Sequence, residues 1–264
     1  MVIPIYDSNP TRRRPYVTWA LIAVTVLAFL LSPVARGPIL GTPSTAEQCR
    51  QQRYFLEWGA VPVELTHDRP LPYTYGPAAG EGQCFQVPPD YDKRPWLSSI
   101  TSIFVHGGWA HLLGNMLFLW VFGNNVEDRF GRLKYLLFYL LVGAVATYAY
   151  AFATPNATEP LVGASGAISG VLGAYLVLFP RAKVIGLVSF LFFFPLRLPA
   201  WVVLGFYFLL QAVYAYGVGM SGGGSVAYLV HVVGFVLGVG VVLAFRNQLR
   251  PPPAPPSQQY RWAY

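Results

Sequence analysis

Charge is what this chain has least of. Asp, Glu, Lys and Arg make up 11% of its 264 residues, against 55% hydrophobic residues. Soluble domains carry about a quarter of their residues charged, so this balance excludes an ordinary water-soluble fold and points to an integral membrane protein. Acid is scarcer than base, and the chain is formally +7 at pH 7. It has two cysteines and four histidines, with no CxxC and no cluster of acidic ligands. The usual zinc-ligand sets are therefore out of reach, and neither a metal nor any other cofactor is expected. A phosphate-cradling glycine loop and an internal repeat are also missing.

What is present is a set of uncharged stretches. They run from Pro15 to Ala35, Pro95 to Val126, Tyr135 to Thr158, Pro160 to Pro180 and Leu198 to Phe245. Each holds at least one helix of about 20 residues, the length that crosses a hydrocarbon core. The Gly217–Gly224 run splits the last stretch into spans near Pro199–Tyr216 and Ser225–Phe245. Val184–Leu196 is too short for an upright span and ends in prolines, so it is expected as an interfacial or re-entrant connector. The fold expected is all-α, a polytopic bundle of six transmembrane helices.

The basic residues orient it. With the N-terminus inside, twelve of the eighteen Lys and Arg fall on the cytoplasmic side, giving +9 inside and −2 outside. Every inside segment is net positive, as the positive-inside rule requires. Both termini are thus expected in the cytoplasm, and the net charge is read as orientation against an anionic leaflet rather than nucleic-acid binding. Residues 1–15 form a cytoplasmic N-terminal segment, 16–246 a six-span membrane domain, and 247–264 a proline-rich cytoplasmic tail. The first span follows Arg12–Arg14 as a signal peptide would, but Pro33–Arg36 is a poor cleavage site, so the span is expected to be retained. A long extracytoplasmic loop near 36–100 holds Cys49 and Cys84, whose spacing leaves one disulfide or two free thiols open.

Polar residues inside spans are expensive and mark function. His111 and Asn115, at i and i+4, share one face at the start of span two. Ser165 lies in the first turn of span four and His231 near the start of span six. All three spans run outside to inside, so these side chains share one depth near the outer surface. Gly166 and Gly170, like Gly234 and Gly238, are small-xxx-small pairs that let two backbones approach. Such a seam would bring His231 within hydrogen-bond reach of Ser165. Taken alone the glycines serve only packing; the polar residues at the same depth favour a site.

HGGWAHLLGNM (His106–Met116), EDRFG (Glu127–Gly131), GASGAISG (Gly163–Gly170) and HVVGFVLG (His231–Gly238) resemble, in order and spacing, the motifs of the rhomboid family of intramembrane serine proteases. The resemblance spans about Thr101–Phe245, more than half of the chain. It implies that Ser165 is a nucleophile, that His231 is its general base and acid, and that His111 and Asn115 line an oxyanion site. It gives supporting roles to His106, which orders a loop, to Glu127 and Arg129, and to Gly163, Gly166, Gly170, Gly234 and Gly238. Two positions depart from the pattern. Trp96 is followed by Leu97 where relatives often have Trp-Arg, and Ser169 stands where some have a tyrosine stacked on the histidine.

The implied reaction is hydrolysis of peptide bonds in or next to transmembrane segments of membrane proteins. No Asp or Glu falls within an expected span, so a Ser-His dyad is the economical reading. The implied setting is a prokaryotic plasma (inner) membrane with the active site facing the extracytoplasmic side. Partners would be single-pass or other transmembrane substrates and the lipid bilayer. The alternatives are a catalytically inactive rhomboid-like protein that binds membrane clients, and a small transporter. The latter would predict an inverted repeat and polar groups at mid-membrane.

Overall fold

The computed structural model describes residues 2–38, 42–77, 84–188, 194–221 and 228–249. Each expected span contains a helix: α1 (Tyr16–Leu31), α5 (Trp109–Phe130), α6 (Arg132–Ala153), α7 (Ser165–Leu178), α8 (Ala200–Ser221) and α9 (Tyr228–Phe245). By length and composition Arg132–Ala153, Ala200–Gly217 and Tyr228–Gln248 suffice to cross a bilayer, while α1 and α7 are shorter apolar helices. The fold is a helical, multi-spanning membrane architecture. Three further helices lie between α1 and α5: α2 (Thr45–Trp58), α3 (Pro62–His67) and α4 (Pro95–Thr101). The Ser225 start expected for the last span, and the tail from Arg250 on, lie outside the described residues.

α7 is the hub. Every residue from Gly166 to Tyr175 is buried, and a helix apolar on all sides suits a position surrounded by other helices. Its tightest partner is α9. A Cβ on Gly234 would collide with the Gly166 carbonyl, one on Gly238 with the Gly170 carbonyl, and one on Gly173 with the Phe235 carbonyl. Backbone cannot move aside as a side chain can, so this seam requires glycine on both helices. On its other flank α7 meets α6, where Gly170 faces Val142 and Gly143 faces Ala167 and Ile103.

Glu127 has a specific task. Its buried carboxylate accepts the Val17 and Thr18 backbone N–H groups at 3.0 and 2.8 Å, and the Thr18 hydroxyl at 2.8 Å. One acidic side chain near the end of α5 thus caps the start of α1, where helical N–H groups lack partners and negative charge is favoured. Arg129 lies over the Phe179 ring with its guanidinium carbon 5.5 Å from the centroid.

The connector after α7 is β-structure, a feature the sequence expectation left unspecified. Residues Lys183–Val188 and Phe194–Pro199 are strands β4 and β5, paired antiparallel, and β4 also pairs with β1 (Val2–Asp7) in the order β1-β4-β5. The N-terminal segment therefore supplies a strand. β-branched residues such as Val184 and Ile185 suit the central position, while Pro4, Pro195 and Pro199 sit on edge strands, where a missing N–H costs no ladder bond. A second, two-stranded sheet, β2 (Thr74–Pro77) with β3 (Cys84–Val87), lies in the loop between α3 and α4.

Asp7 ends β1, outside the spanning helices. It is buried, and it accepts from the Tyr175 hydroxyl at 2.5 Å and the Asn125 amide at 2.8 Å. Burial raises its carboxyl to about 6, although the Tyr175 hydrogen bond favours the charged form. Because the folded value lies above the ordinary 3.8, the stabilisation is complete below about pH 4 and is lost as pH rises through 6. The loss amounts to about 2 to 3 kcal/mol of strand docking. Hydrogen-exchange protection of the β1 amides, corrected for intrinsic rates, is expected to fall between pH 4 and pH 7. Asp7→Asn should flatten that dependence, and a flat wild-type profile would contradict the assignment.

Candidate active site

Ser165 is the first residue of α7, and His231 lies in the first turn of α9. The glycine seam brings His231 Nε2 to 2.7 Å from Ser165 Oγ. The other ring nitrogen, Nδ1, lies 2.7 Å from Oε1 of Gln211 on α8. Both nitrogens of the imidazole are thereby engaged, one by the alcohol and one by an amide.

The α5 residues approach from the opposite side. His111 Nδ1 accepts the Gly107 backbone N–H at 3.4 Å, which leaves the proton on Nε2. That Nε2 points at Gly163, where a Cβ would stand 2.7 Å away, with Asn115 Nδ2 at 3.8 Å from the same position. Gly163 has φ +122°, a backbone conformation that side chains disfavour. Two reasons thus hold glycine there: the torsion, and the room needed between the donors and the chain entering α7. Asn115 is buried, and its amide nitrogen has no hydrogen-bond partner among the described residues. A buried donor without a partner is costly.

His106 is buried 5.1 Å, centroid to centroid, from the edge of the His111 ring, and its Nδ1 lies 3.4 Å from the Phe104 carbonyl. It packs against the His111 ring and is not among the residues lining the cavity at Ser165. Ser169, one turn into α7, hydrogen-bonds the Tyr207 hydroxyl of α8 at 3.0 Å. An aromatic ring at a distance does approach the histidine: Tyr228 sits edge-on to His231 with centroids 6.4 Å apart.

These groups open on a cavity of about 770 Å³ whose lining includes His111, Asn115, Ser165, Gln211 and His231. None of its lining residues is an Asp or Glu, and no group of three metal-ligating side chains occurs among the described residues. A second hollow, an apolar groove between α1 and α5 that includes Trp19 and Trp120, has no ionisable side chain in its wall. Gln211 and Tyr207 are not among the expected site residues, because the fifth span reads as aromatic and aliphatic along its length. The available signal was that Gln211 is the one amide between Leu198 and Tyr216.

Above the site, the loop before α7 is tied to the region between α1 and α5. Ala60 and Leu161 exchange backbone hydrogen bonds at 3.0 and 2.8 Å, and the Gly163 N–H donates to the Ser102 carbonyl at 2.9 Å. Cys49 and Cys84 are joined by a disulfide that ties α2 to β3, with Cα atoms 5.3 Å apart.

Comparison of the sequence with known proteins matches it to a family. The rhomboid domain model covers residues 93–248. YdcA, a rhomboid-type protein of Bacillus subtilis, is 36% identical over 141 residues, covering 50% of this chain and 59% of its own. Rhomboid protein 1, mitochondrial, of Saccharomyces cerevisiae is 35% identical over 149 residues, covering 54% of this chain and 40% of its own. Rhomboid protease GluP of Bacillus subtilis is 43% identical over 81 residues, covering 31% of this chain and 15% of its own. The chain spans less than two thirds of the length of each of these relatives. A domain match over more than half of the sequence, within which His111, Asn115, Ser165, Gln211 and His231 all fall, establishes that this chain belongs to the rhomboid family.

Proposed function

We propose that the protein is an intramembrane serine endopeptidase that cuts transmembrane proteins in or beside their membrane-spanning segments. The observation that carries this reading is the 2.7 Å approach of His231 Nε2 to Ser165 Oγ beside a cavity lined by Asn115, whose amide nitrogen has no partner among the described residues. Six helices cross the bilayer with both termini cytoplasmic, which the basic residues favour, and the site opens on the extracytoplasmic side. The disulfide on that side suits an oxidising compartment.

In the reaction, His231 takes the Ser165 proton as Oγ attacks the scissile carbonyl, then returns a proton to the departing amine. Water repeats the cycle on the acyl-enzyme. The oxyanion forms among the Asn115 amide, the His111 Nε2–H and the Ser165 backbone N–H, the last of which has no intrahelical acceptor at the start of α7. A substrate helix shields its own carbonyls, so small or helix-breaking residues at the cut would favour the unwinding that hydrolysis needs.

Purified protein incubated with a panel of single-span substrates and with a fluorophosphonate probe tests the reading. Cleavage and labelling that both require Ser165 are expected. A wild-type protein that neither labels nor cuts would overturn the proposal in favour of a client-binding relative. Asn115→Ala is expected to lower kcat roughly a hundredfold, about 3 kcal/mol, the usual cost of one oxyanion donor. The melting temperature should hold, because the amide nitrogen has no hydrogen-bond partner to lose among the described residues. Unchanged turnover on a transmembrane substrate would remove Asn115 from the oxyanion site.

A further inference from the structure

We infer that Gln211 is the positioning residue of the base: its side-chain oxygen holds His231 in the one tautomer that can accept the Ser165 proton. The inference rests on the protease reading and adds a third member, drawn from α8, which bears neither the nucleophile, the base nor the oxyanion donors.

The geometry is specific. Gln211 Oε1 lies 2.7 Å from His231 Nδ1, while His231 Nε2 lies 2.7 Å from Ser165 Oγ. A neutral imidazole has one N–H and one lone pair, so what happens at Nδ1 decides what Nε2 can do. When Nδ1–H donates to Oε1, Nε2 presents its lone pair to the serine hydroxyl. With the amide turned over, its nitrogen would donate to Nδ1 and leave the proton on Nε2, facing an alcohol it could not deprotonate. After proton transfer, the imidazolium holds both protons, and Oε1 still accepts from Nδ1–H and stabilises the charge.

Two further observations fit this role. Among the described residues no carboxylate lines the cavity, and Gln211 occupies the place at Nδ1 that an acid takes in a three-residue site. A neutral amide also avoids the cost of burying a charge at membrane depth. In addition, Tyr207, one turn before Gln211 on the same helix, hydrogen-bonds Ser169 of α7 at 3.0 Å. Two side chains a turn apart thus fix α8 to the helices bearing the nucleophile and the base. The imidazole is oriented only while α8 is packed against them.

The test uses the full-length protein in proteoliposomes with a single-span substrate. Gln211→Leu keeps the volume but removes the acceptor. It is expected to lower kcat roughly tenfold to a hundredfold, part of the 10²- to 10⁴-fold that general-base catalysis supplies, with KM changed by less than about twofold. Fluorophosphonate labelling of Ser165 should slow in proportion. Gln211→Glu retains an oxygen at the same reach and should recover most of the loss. In 15N-histidine-labelled wild type, the signals that disappear in His231→Ala should show a protonated Nδ1 and an unprotonated Nε2. Gln211→Leu should mix the two tautomers. Unchanged kcat in Gln211→Leu, equal losses in Leu and Glu with lowered melting temperatures, or a protonated Nε2 in wild type would each overturn the assignment. In all three cases Ser165-dependent labelling would persist. Its absence from wild type would instead sink the protease reading, and the tautomer signal separates the two failures because it requires no turnover.

Discussion

Alanine at Ser165 or at His231 is expected to remove cleavage almost completely, a loss of roughly 10⁴-fold or more for each. The two side chains act as a unit across one 2.7 Å contact. Without the imidazole, Ser165 is an alcohol with no group to take its proton. Without the hydroxyl, His231 has only water to activate in a pocket arranged for covalent attack. The double variant should therefore be no slower than the slower single variant, since losses within a unit do not add. Initial rates in proteoliposomes read this directly, and fluorophosphonate labelling should vanish in both single variants. Neither change should disturb the α7–α9 seam, whose close approach is set by glycines and backbone carbonyls rather than by the Ser165 and His231 side chains. Substantial residual activity in either purified variant would refute the dyad.

That seam explains why so much of the site is legible in the sequence. Charges interrupt the chain only between spans, so helix positions follow from where charge is absent. That Ser165, His111, Asn115 and His231 lie toward the N-terminal ends of their helices follows from where those helices begin. The contact between spans four and six is foreshadowed by Gly166 and Gly170 facing Gly234 and Gly238. Other features depend on facts that spacing does not carry. Gln211 lies in a helix with aromatic and aliphatic residues on every side, and no periodicity tells which face meets His231 until α8 is docked. The β4–β5 pair is too short to read as a span, and its strand character depends on β1, which comes from the other end of the chain. Tyr175 reads as one more aromatic of an apolar helix until Asp7 is found against its hydroxyl. The ExR motif names Glu127, but its partner, the start of α1, becomes apparent only when α1 packs on α5.

The largest structural effect is expected at Glu64. Its carboxylate lies 2.5 Å from the Lys93 ammonium, with both side chains almost wholly buried. Lys93 also donates to the Leu56 and Gly59 carbonyls at 2.5 and 2.9 Å, and Glu64 accepts the Leu71 N–H at 2.8 Å. Burial pushes the Lys93 ammonium below its ordinary value, and the nearby carboxylate opposes that shift. A buried pair is poor evidence of net stability, but removing one partner strands the other charge, at a cost of about 3 to 5 kcal/mol. Glu64→Ala should therefore lower the melting temperature in detergent by on the order of 10 °C. Replacing both, as Glu64→Leu with Lys93→Met, should recover much of that loss, because no charge is then left buried. The damage should also reach the chemistry. Lys93 fastens Gly59, the residue before Ala60, and Ala60 pairs with Leu161 four positions ahead of Ser165. A displacement of about 1 Å at a reacting group can cost a hundredfold, so kcat in Glu64→Ala should fall below the melting point as well, and recover with the paired substitution. A double variant less stable than Glu64→Ala would show that the pair itself, rather than the stranded lysine, sets the stability of this region.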